Sequence, residues 1–214
     1  MIVVASSIKG GVGKTTLATN LAVIRSLAGY DVLLVDTDYQ ESASDFTFLR
    51  NQMTEDKAGF SFITLSDDHV RREVLNQQSK YDDIIIDVPG KDSASQRAAL
   101  TVADVALIPF VPRSFDVWTL GKVVKLLSEA RTINDHLRAY CFLNRADPSG
   151  PDNEASKGIL SSRDGIEYVD ISLGYRKAFS RAAAQGLSVT ELRPIDQKAN
   201  EEMMALYRFV FEPN

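Results

Sequence analysis

The sequence has little of several things that mark specialised classes of protein. It contains one cysteine, Cys141, so a single chain can form neither an internal disulfide nor a zinc or iron–sulfur site built on several cysteines. No apolar run approaches the roughly 18 residues that cross a bilayer, and no basic segment precedes the apolar N-terminus. We therefore expect neither a membrane span nor a signal peptide. Seven prolines and 12 glycines are too few for a low-complexity chain.

Basic charge is also scarce, because 24 Lys and Arg residues stand against 29 Asp and Glu residues and the formal net charge is −5. Domains that bind nucleic acid usually carry a basic excess, so this total by itself argues against such a partner. The charge is uneven, however. Residues 36–87 contain 12 acidic and 5 basic residues, whereas residues 172–190 contain three basic residues and no acidic one.

Short apolar runs alternate with longer amphipathic segments through all 214 residues, which predicts a single domain over residues 1–214. Runs such as Val32–Val35 and Ile84–Ile86 are apolar at consecutive positions, as is typical of strands covered on both faces. We therefore predict an α/β fold, a doubly wound, mostly parallel sheet of about seven or eight strands with helices on both faces. The predicted strands are Ile2–Ser7, Val32–Asp36, Phe60–Leu65, Asp83–Asp87, Val105–Val111, Ala139–Asn144 and Glu167–Ile171. The predicted helices are Lys14–Ala28, Ser42–Gln52, Asp67–Ser79, Ser93–Thr101, Val117–Asn134, Asn153–Ser162, Tyr175–Gln185 and Gln197–Phe211.

A glycine-rich loop joins the first predicted strand to the first predicted helix. It reads Lys9-Gly10-Gly11-Val12-Gly13-Lys14-Thr15-Thr16. Glycines let backbone N–H groups converge on phosphate oxygens, and the start of the helix adds a partial positive charge. In such a phosphate loop Lys14 neutralises charge on the β- and γ-phosphates, and the Thr15 hydroxyl ligates Mg²⁺. The general pattern has glycine at the position of Ile8, and Lys9 adds a second lysine.

Acidic residues lie at the ends of two predicted strands. Asp36 and Asp38 come at the end of the second strand, and Asp87 follows Ile84–Ile86. Ligands of parallel sheets bind at the carboxyl ends of the strands, so these carboxylates are expected near the phosphate loop. Asp87 would hold a Mg²⁺-bound water, and Gly90 would let the following loop respond to a terminal phosphate. The alternative for Asp36 and Asp38 is a pair of solvated turn residues.

The phosphate loop resembles the deviant Walker A box of the ParA/MinD family of ATPases. The resemblance is strongest over residues 1–40 and 81–112 and thinner after residue 145. It implies an ATPase that uses ATP and Mg²⁺ and forms a nucleotide-sandwich homodimer, in which Lys9 reaches the phosphates of the partner subunit. It also implies that Asp38 positions or activates the attacking water and that Asp36 supports the Mg²⁺ shell. The usual form of this family has proline where this chain has Tyr39.

Asn144 ends a predicted strand and begins the run Asn144-Arg145-Ala146-Asp147. In the related ATPases an asparagine at this place hydrogen-bonds adenine, so the resemblance implies ATP binding through Asn144. Two alternatives stay open. The run is also similar to the Asn-Lys-x-Asp element of GTPases, in which Asp147 would bind guanine, and asparagine is a common turn residue.

The resemblance to small ParA-type partition ATPases implies an output on DNA. The ATP-bound dimer would bind DNA without sequence preference and drive partition or positioning of a plasmid, a chromosome or another cargo. A ParB-like or other adaptor protein would stimulate hydrolysis, and the protein would be cytoplasmic and nucleoid-associated. The DNA-binding candidates are Arg176, Lys177 and Arg181 on a predicted helix, and the alternative for these residues is an ordinary solvated face.

Two other outputs remain open. One is a MinD-like association with membranes, which needs a C-terminal amphipathic helix with a basic polar face. The C-terminal segment has apolar residues at helical spacing but only Arg208 as a cation near its end, so we expect it to dock on the core and not to serve as a stable membrane anchor. The other is an ATP-dependent metabolic ligase on the same fold.

Overall fold

The structure, a computed structural model, describes residues 1–55, 57–67, 69–112, 114–148 and 151–212, with the backbone only for residues 114–118. These residues form seven strands and eight helices that alternate along the chain. The strands are β1 (Ile2–Ala5), β2 (Val32–Asp36), β3 (Ser61–Thr64), β4 (Asp83–Asp87), β5 (Val105–Phe110), β6 (Arg138–Ala146) and β7 (Glu167–Gly174). The helices are α1 (Lys14–Leu27), α2 (Ser42–Met53), α3 (His69–Gln77), α4 (Ala94–Leu100), α5 (Ser114–Arg131), α6 (Pro151–Ser161), α7 (Lys177–Ala183) and α8 (Gln197–Phe211).

The described strands form one parallel sheet in the order β3-β2-β4-β1-β5-β6-β7. One face packs against α1, α2, α7 and α8, and the other packs against α3 to α6. This arrangement confirms the predicted doubly wound α/β fold. Every predicted element is present, and the bounds differ from the predicted ones by at most three residues, which is the usual uncertainty at element ends.

The apolar pattern of each strand follows its place in the sheet. All residues of β2 and β4 are buried, because helices cover both faces of these strands. The edge strands β3 and β7 keep exposed or half-buried positions. The consecutive apolar runs of β2 and β4 therefore match strands that are covered on both faces.

The C-terminal helix α8 contributes to the core. Its buried side chains include Met203, Leu206, Tyr207 and Val210, and they pack on the same cluster as α1. Since this apolar face is covered by protein, α8 docks on the core as the sequence predicted. None of the described helices is both long and apolar enough to cross a membrane.

A buried arginine ties α2 to the segment that follows α7. Arg50 is 3% exposed, and its guanidinium donates to the carbonyl oxygens of Ala58 and Gly186 at 2.6 and 3.0 Å. It also forms a two-pronged ion pair with the Glu191 carboxylate at 2.9 and 3.2 Å. The backbones meet closely here as well, because a Cβ on Gly186 would lie 2.5 Å from the Arg50 nitrogen.

A second contact joins the same segment to α1. The side-chain oxygen of Asn20 accepts from the backbone N–H of Val189 at 2.8 Å, and the Asn20 amide donates to the Thr16 carbonyl at 2.7 Å. The segment after α7 is therefore fixed both to α1, which begins at the phosphate loop, and to α2, which follows Asp38.

Candidate nucleotide site

The predicted phosphate loop lies between β1 and α1 at the carboxyl edge of the central strand. Gly13 stands at the start of α1 with φ of 96°, a left-handed conformation that favours glycine. Lys14 is the first residue of the helix and is 6% exposed. Burial lowers the pKa of Lys14, while the nearby carboxylates of Asp87 and Asp38 act in the opposite direction.

The loop surrounds a cavity of about 620 Å³, here called the phosphate cavity. It brings together seven predicted site residues, which are Gly10, Gly11, Gly13, Lys14, Thr15, Thr16 and Asp38. Side chains from the start of α2 and from the loop after β4 also line it, among them Asp45 and Lys91. Lys9, Val12, Asp36, Asp87 and Asn144 are not part of this lining. The Val12 side chain is buried in the protein.

Asp36 is buried and engages the backbone. Its Oδ1 accepts from the N–H of Asp38 at 2.9 Å, and its Oδ2 accepts from the N–H groups of Ala43 and Ser44 at 3.1 and 3.2 Å. The pKa of Asp36 is raised, because burial has the largest effect and outweighs these hydrogen bonds, which act in the opposite direction. Glu41, the residue before α2, forms no side-chain cap. Asp36 takes this role, because its carboxylate accepts from the N–H groups of Ala43 and Ser44 in the first turn of the helix. Its support of a Mg²⁺ shell stays a prediction.

Asp87 is 1% exposed, and neither of its carboxylate oxygens makes a hydrogen bond of standard length and angle in the described part of the chain, although the Thr15 hydroxyl lies close enough to lower the pKa of Asp87. Burial raises the pKa of Asp87 to about 7, and the nearby acids Asp36 and Asp38 add to the shift, while Thr15 and Lys14 oppose it. A buried carboxylate without partners is costly unless an ion or water pairs with it.

The oxygen donors at this place fit Mg²⁺. The Asp87 carboxylate and the Thr15 hydroxyl are the hard ligands that Mg²⁺ prefers. No group of three or more His, Cys, Asp or Glu side chains that could hold a metal ion is found within the described ranges. A Mg²⁺ ion here would therefore take further ligands from phosphate oxygens and water, which is the usual arrangement with nucleotides.

Asn144 braces the phosphate loop from β6. Its side-chain amide donates to the Val12 carbonyl at 2.6 Å, and a Cβ on Gly13 would collide with the same amide. Asn144 also lines a smaller cavity of about 180 Å³, here called the base cavity, which shares Gly13, Thr16 and Arg145 with the phosphate cavity. Asp147 lines neither cavity.

Comparisons with known proteins identify the family of the chain. The model of the CobQ/CobB/MinD/ParA nucleotide-binding domain matches residues 2–189. The chain belongs to this family. The predicted ParA/MinD resemblance is thereby confirmed, and proteins of the ParA/MinD family are ATPases.

Several relatives of this ParA/MinD chain align over nearly its whole length. The maintenance of carboxysome distribution protein A of Gloeobacter kilaueensis is 33% identical and covers 95% of this chain and 89% of its own. The protein of the same name from Halothiobacillus neapolitanus is 26% identical, and the alignment covers 92% of this chain and 90% of that protein. Among solved structures, a Cyanothece McdA variant in complex with ATP superposes with a TM-score of 0.77 at 16% identity, covering 97% of this chain and 95% of that one. At that identity the superposition shows the shared fold.

The three predicted cations of the basic segment lie in different surroundings. Helix α7 begins at Lys177, so Arg176 precedes it, and the Arg176 guanidinium forms an ion pair with Glu202 at 2.5 and 2.9 Å. The sequence could not show this partner, since Glu202 comes from α8. Tyr175, which also precedes the helix, is 74% exposed. Arg176 and Lys177 also line the base cavity, and Arg181 is exposed on α7.

Three contributors to the site were missed by the sequence analysis. Gln96 on α4 is fully buried, and its amide donates to the Ser6 hydroxyl at 2.8 Å just before the loop. Asn20 connects α1 to Val189, as described above. Lys91 lines the phosphate cavity. Gln96 and Asn20 lie within helices, and their polar contacts are visible only when distant segments are brought together. Only Lys91 could have been found from the sequence, because it directly follows Gly90 and lies four residues after Asp87.

Proposed function

We propose that this protein is a ParA-type positioning ATPase that binds ATP with Mg²⁺ and forms an ATP-dependent sandwich homodimer. The dimer binds DNA nonspecifically and moves or distributes a cargo, and an adaptor protein stimulates hydrolysis. The observation that carries the proposal is the phosphate cavity, in which the lysine-flanked loop and Asp38 face the same space. The names of relatives that act in carboxysome distribution support a positioning role.

The phosphate cavity and the base cavity adjoin each other, and each binds one part of the nucleotide. The phosphate cavity takes the triphosphate on the backbone N–H groups of the loop. The base cavity takes the base against the apolar side chains of Leu173, Phe179 and Met203, with Asn144 beside it. We favour adenine over guanine, because Asp147, the acid that would bind guanine, lines neither cavity.

Lys9 supports the dimer. It lies outside the lining of the phosphate cavity, although its neighbours Gly10 and Gly11 belong to it. This position favours a contact between Lys9 and the nucleotide of a partner subunit over a contact with the nucleotide of its own chain.

Replacing Lys14 by alanine should reduce ATP affinity about 10- to 150-fold, because a charge-assisted contact to phosphate contributes about 1.5–3 kcal/mol. Isothermal titration with ATP and Mg²⁺ measures the change. The matched control is Lys80→Ala, an exposed lysine after α3, which should bind ATP like the wild type. ATP affinity retained in Lys14→Ala would contradict the assignment of the phosphate loop.

Replacing Arg181 by glutamate should weaken DNA binding about tenfold at low salt, because each subunit of a dimer loses a cation and gains an anion at the phosphate backbone. Arg181 is a cleaner choice than Lys177, which also lines the base cavity. A gel shift with ATP-loaded protein gives the affinity, and ATP turnover without DNA should stay at the wild-type rate.

The matched control for Arg181→Glu is Lys122→Glu. Lys122 is an exposed residue of α5, on the opposite face of the sheet from α7, so the same change in net charge occurs away from the proposed surface. Equal DNA affinity of the two variants would place DNA binding on another surface. Failure of ATP-loaded wild-type protein to shift DNA would refute the DNA output and leave the nucleotide site untouched.

A further inference from the structure

A second lysine lines the phosphate cavity besides Lys14 of the loop. Lys91 lines this cavity and also a neighbouring one of about 420 Å³, here called the acidic cavity, which is lined by Asp36, Asp38, Glu41 and Asp67 among others. The two cavities share Asp38, Tyr39, Pro89 and Lys91. Lys91 therefore stands on the boundary between a phosphate-binding space and a group of carboxylates.

The backbone around Lys91 is fixed on both sides. Gly90 packs directly on the phosphate loop, since a Cβ at this residue would lie 2.5 Å from the Cα of Gly10. On the other side, the Asp92 carboxylate forms a two-pronged ion pair with Arg97, with both contacts at 2.7 Å. Lys91 thus stands on a short turn that packs against the phosphate loop.

The ammonium of Lys91 has an aromatic neighbour. Its Nζ lies 4.6 Å from the centre of the Tyr39 ring, a cation–π arrangement. Within the described ranges no carboxylate forms an ion pair with Lys91. The ring is 72% exposed and belongs to the segment after Asp38, so the stack joins the two loops that border the cavity.

Carboxylates outnumber lysines around the phosphate loop. Three carboxylates, those of Asp36, Asp38 and Asp87, lie near Lys14: Asp38 and Asp87 act to raise the pKa of Lys14, and Asp36 and Asp38 act to raise the pKa of Asp87. Lys14 is a single positive charge among them. A triphosphate brings several more negative charges, and each added cation near the terminal phosphate stabilises the complex.

We propose that Lys91 contacts the terminal phosphate of the nucleotide bound by its own chain, and that the Tyr39 ring positions the Lys91 ammonium for this contact. The inference rests on the proposed binding of ATP. It adds a cation supplied in cis to the one that Lys9 would supply from the partner subunit. ATP carries a γ-phosphate and ADP does not. A contact from Lys91 to the γ-phosphate therefore makes the site bind ATP in preference to ADP.

The test compares the affinities of ATP and ADP, measured by titration in Mg²⁺ for each variant. In Lys91→Gln the ratio of ATP affinity to ADP affinity should fall about tenfold, because the lost contact is charge-assisted. The ADP affinity itself should stay within about twofold of the wild-type value. Lys91→Arg keeps the positive charge and should retain most of the preference. Lys80→Gln, an exposed lysine away from the cavity, should match the wild type.

A second pair of variants tests the positioning role of Tyr39. Tyr39→Phe keeps an aromatic face and should behave like the wild type, whereas Tyr39→Leu should lose about threefold of the ATP preference, as expected for an exposed cation–π contact. A residue with a merely structural role would change both affinities together. Equal ATP preference in the Leu and Phe variants would overturn the role of the ring.

The outcomes separate this inference from the proposed function. If the wild type binds neither ATP nor ADP, the proposed nucleotide site and the role of Lys91 are both refuted. If the wild type binds ATP and Lys91→Gln keeps the full preference over ADP, only the role of Lys91 is refuted. The unchanged ADP affinity expected of Lys91→Gln also shows that the variant is folded.

Discussion

Replacing Asp38 by asparagine should reduce ATP turnover about 1,000-fold while ATP affinity and ATP-dependent dimerisation remain. A positioned acid or base contributes roughly 10²- to 10⁴-fold to a reaction of this kind, and phosphoryl transfer depends on an oriented nucleophile more than on covalent help from the protein. Asp38 is half-buried and lines the phosphate cavity. Its Oδ1 already accepts from the backbone N–H of Gln40 at 3.1 Å, which fixes the carboxylate in place.

The measurement is a single-turnover hydrolysis assay beside a titration with ATP, so that binding and chemistry are separated. Asp135→Asn is the matched control, since Asp135 is exposed at the turn before β6 and should leave both quantities unchanged. Turnover of Asp38→Asn at the wild-type rate would remove Asp38 from the proposed mechanism. A loss of ATP affinity without a change in the chemical step would give Asp38 a binding role instead.

Replacing Arg50 by alanine should lower the free energy of unfolding by about 3 kcal/mol, because it removes the donor of two buried carbonyl groups and breaks an ion pair in which Arg50 is buried and Glu191 is 23% exposed. The variant leaves the Glu191 carboxylate and the carbonyl groups of Ala58 and Gly186 without their donor. It also loosens the segment after α7, which Arg50 holds against α2. Urea unfolding at constant pH gives the difference, provided that the denaturant dependence stays the same.

Arg97→Ala is the matched control for this prediction. Arg97 also pairs with two carboxylates, those of Asp92 and Glu129 at 2.7 and 2.6 Å, but it is 46% exposed. Exposed pairs of this kind contribute about 1 kcal/mol or less, so the control should be far more stable than Arg50→Ala. Similar losses in the two variants would show that burial is not what makes Arg50 important.

The local features of the site could be predicted from the sequence because they are contiguous. The phosphate loop from Lys9 to Thr16 needs only a strand before it and a helix after it, and both are present. Asp87 could be placed at a strand end because β4 is a consecutive apolar run. Its missing hydrogen-bond partners, in contrast, depend on everything packed around it.

The basic segment shows what a count of charge along the sequence leaves out. Residues 172–190 contain three cations and no acid. Arg176 nevertheless pairs with Glu202 of α8, because the helix packs beside the end of β7 in the folded chain. Charge counted along a segment does not include the carboxylates that other segments bring to it.

The sequence by itself determined the α/β class, the alternation of elements and the phosphate loop, since these depend on apolar periodicity and on contiguous glycine and lysine positions. Only the tertiary structure decided that Asp36 caps α2, that Asn144 braces Val12, that Arg50 holds the segment after α7 and that Lys91 stands over Tyr39. Asp36 caps the helix that directly follows its strand, whereas the other three contacts join segments that are far apart in the chain. Their geometry follows from the packing of the helices on the sheet, and no local pattern encodes it.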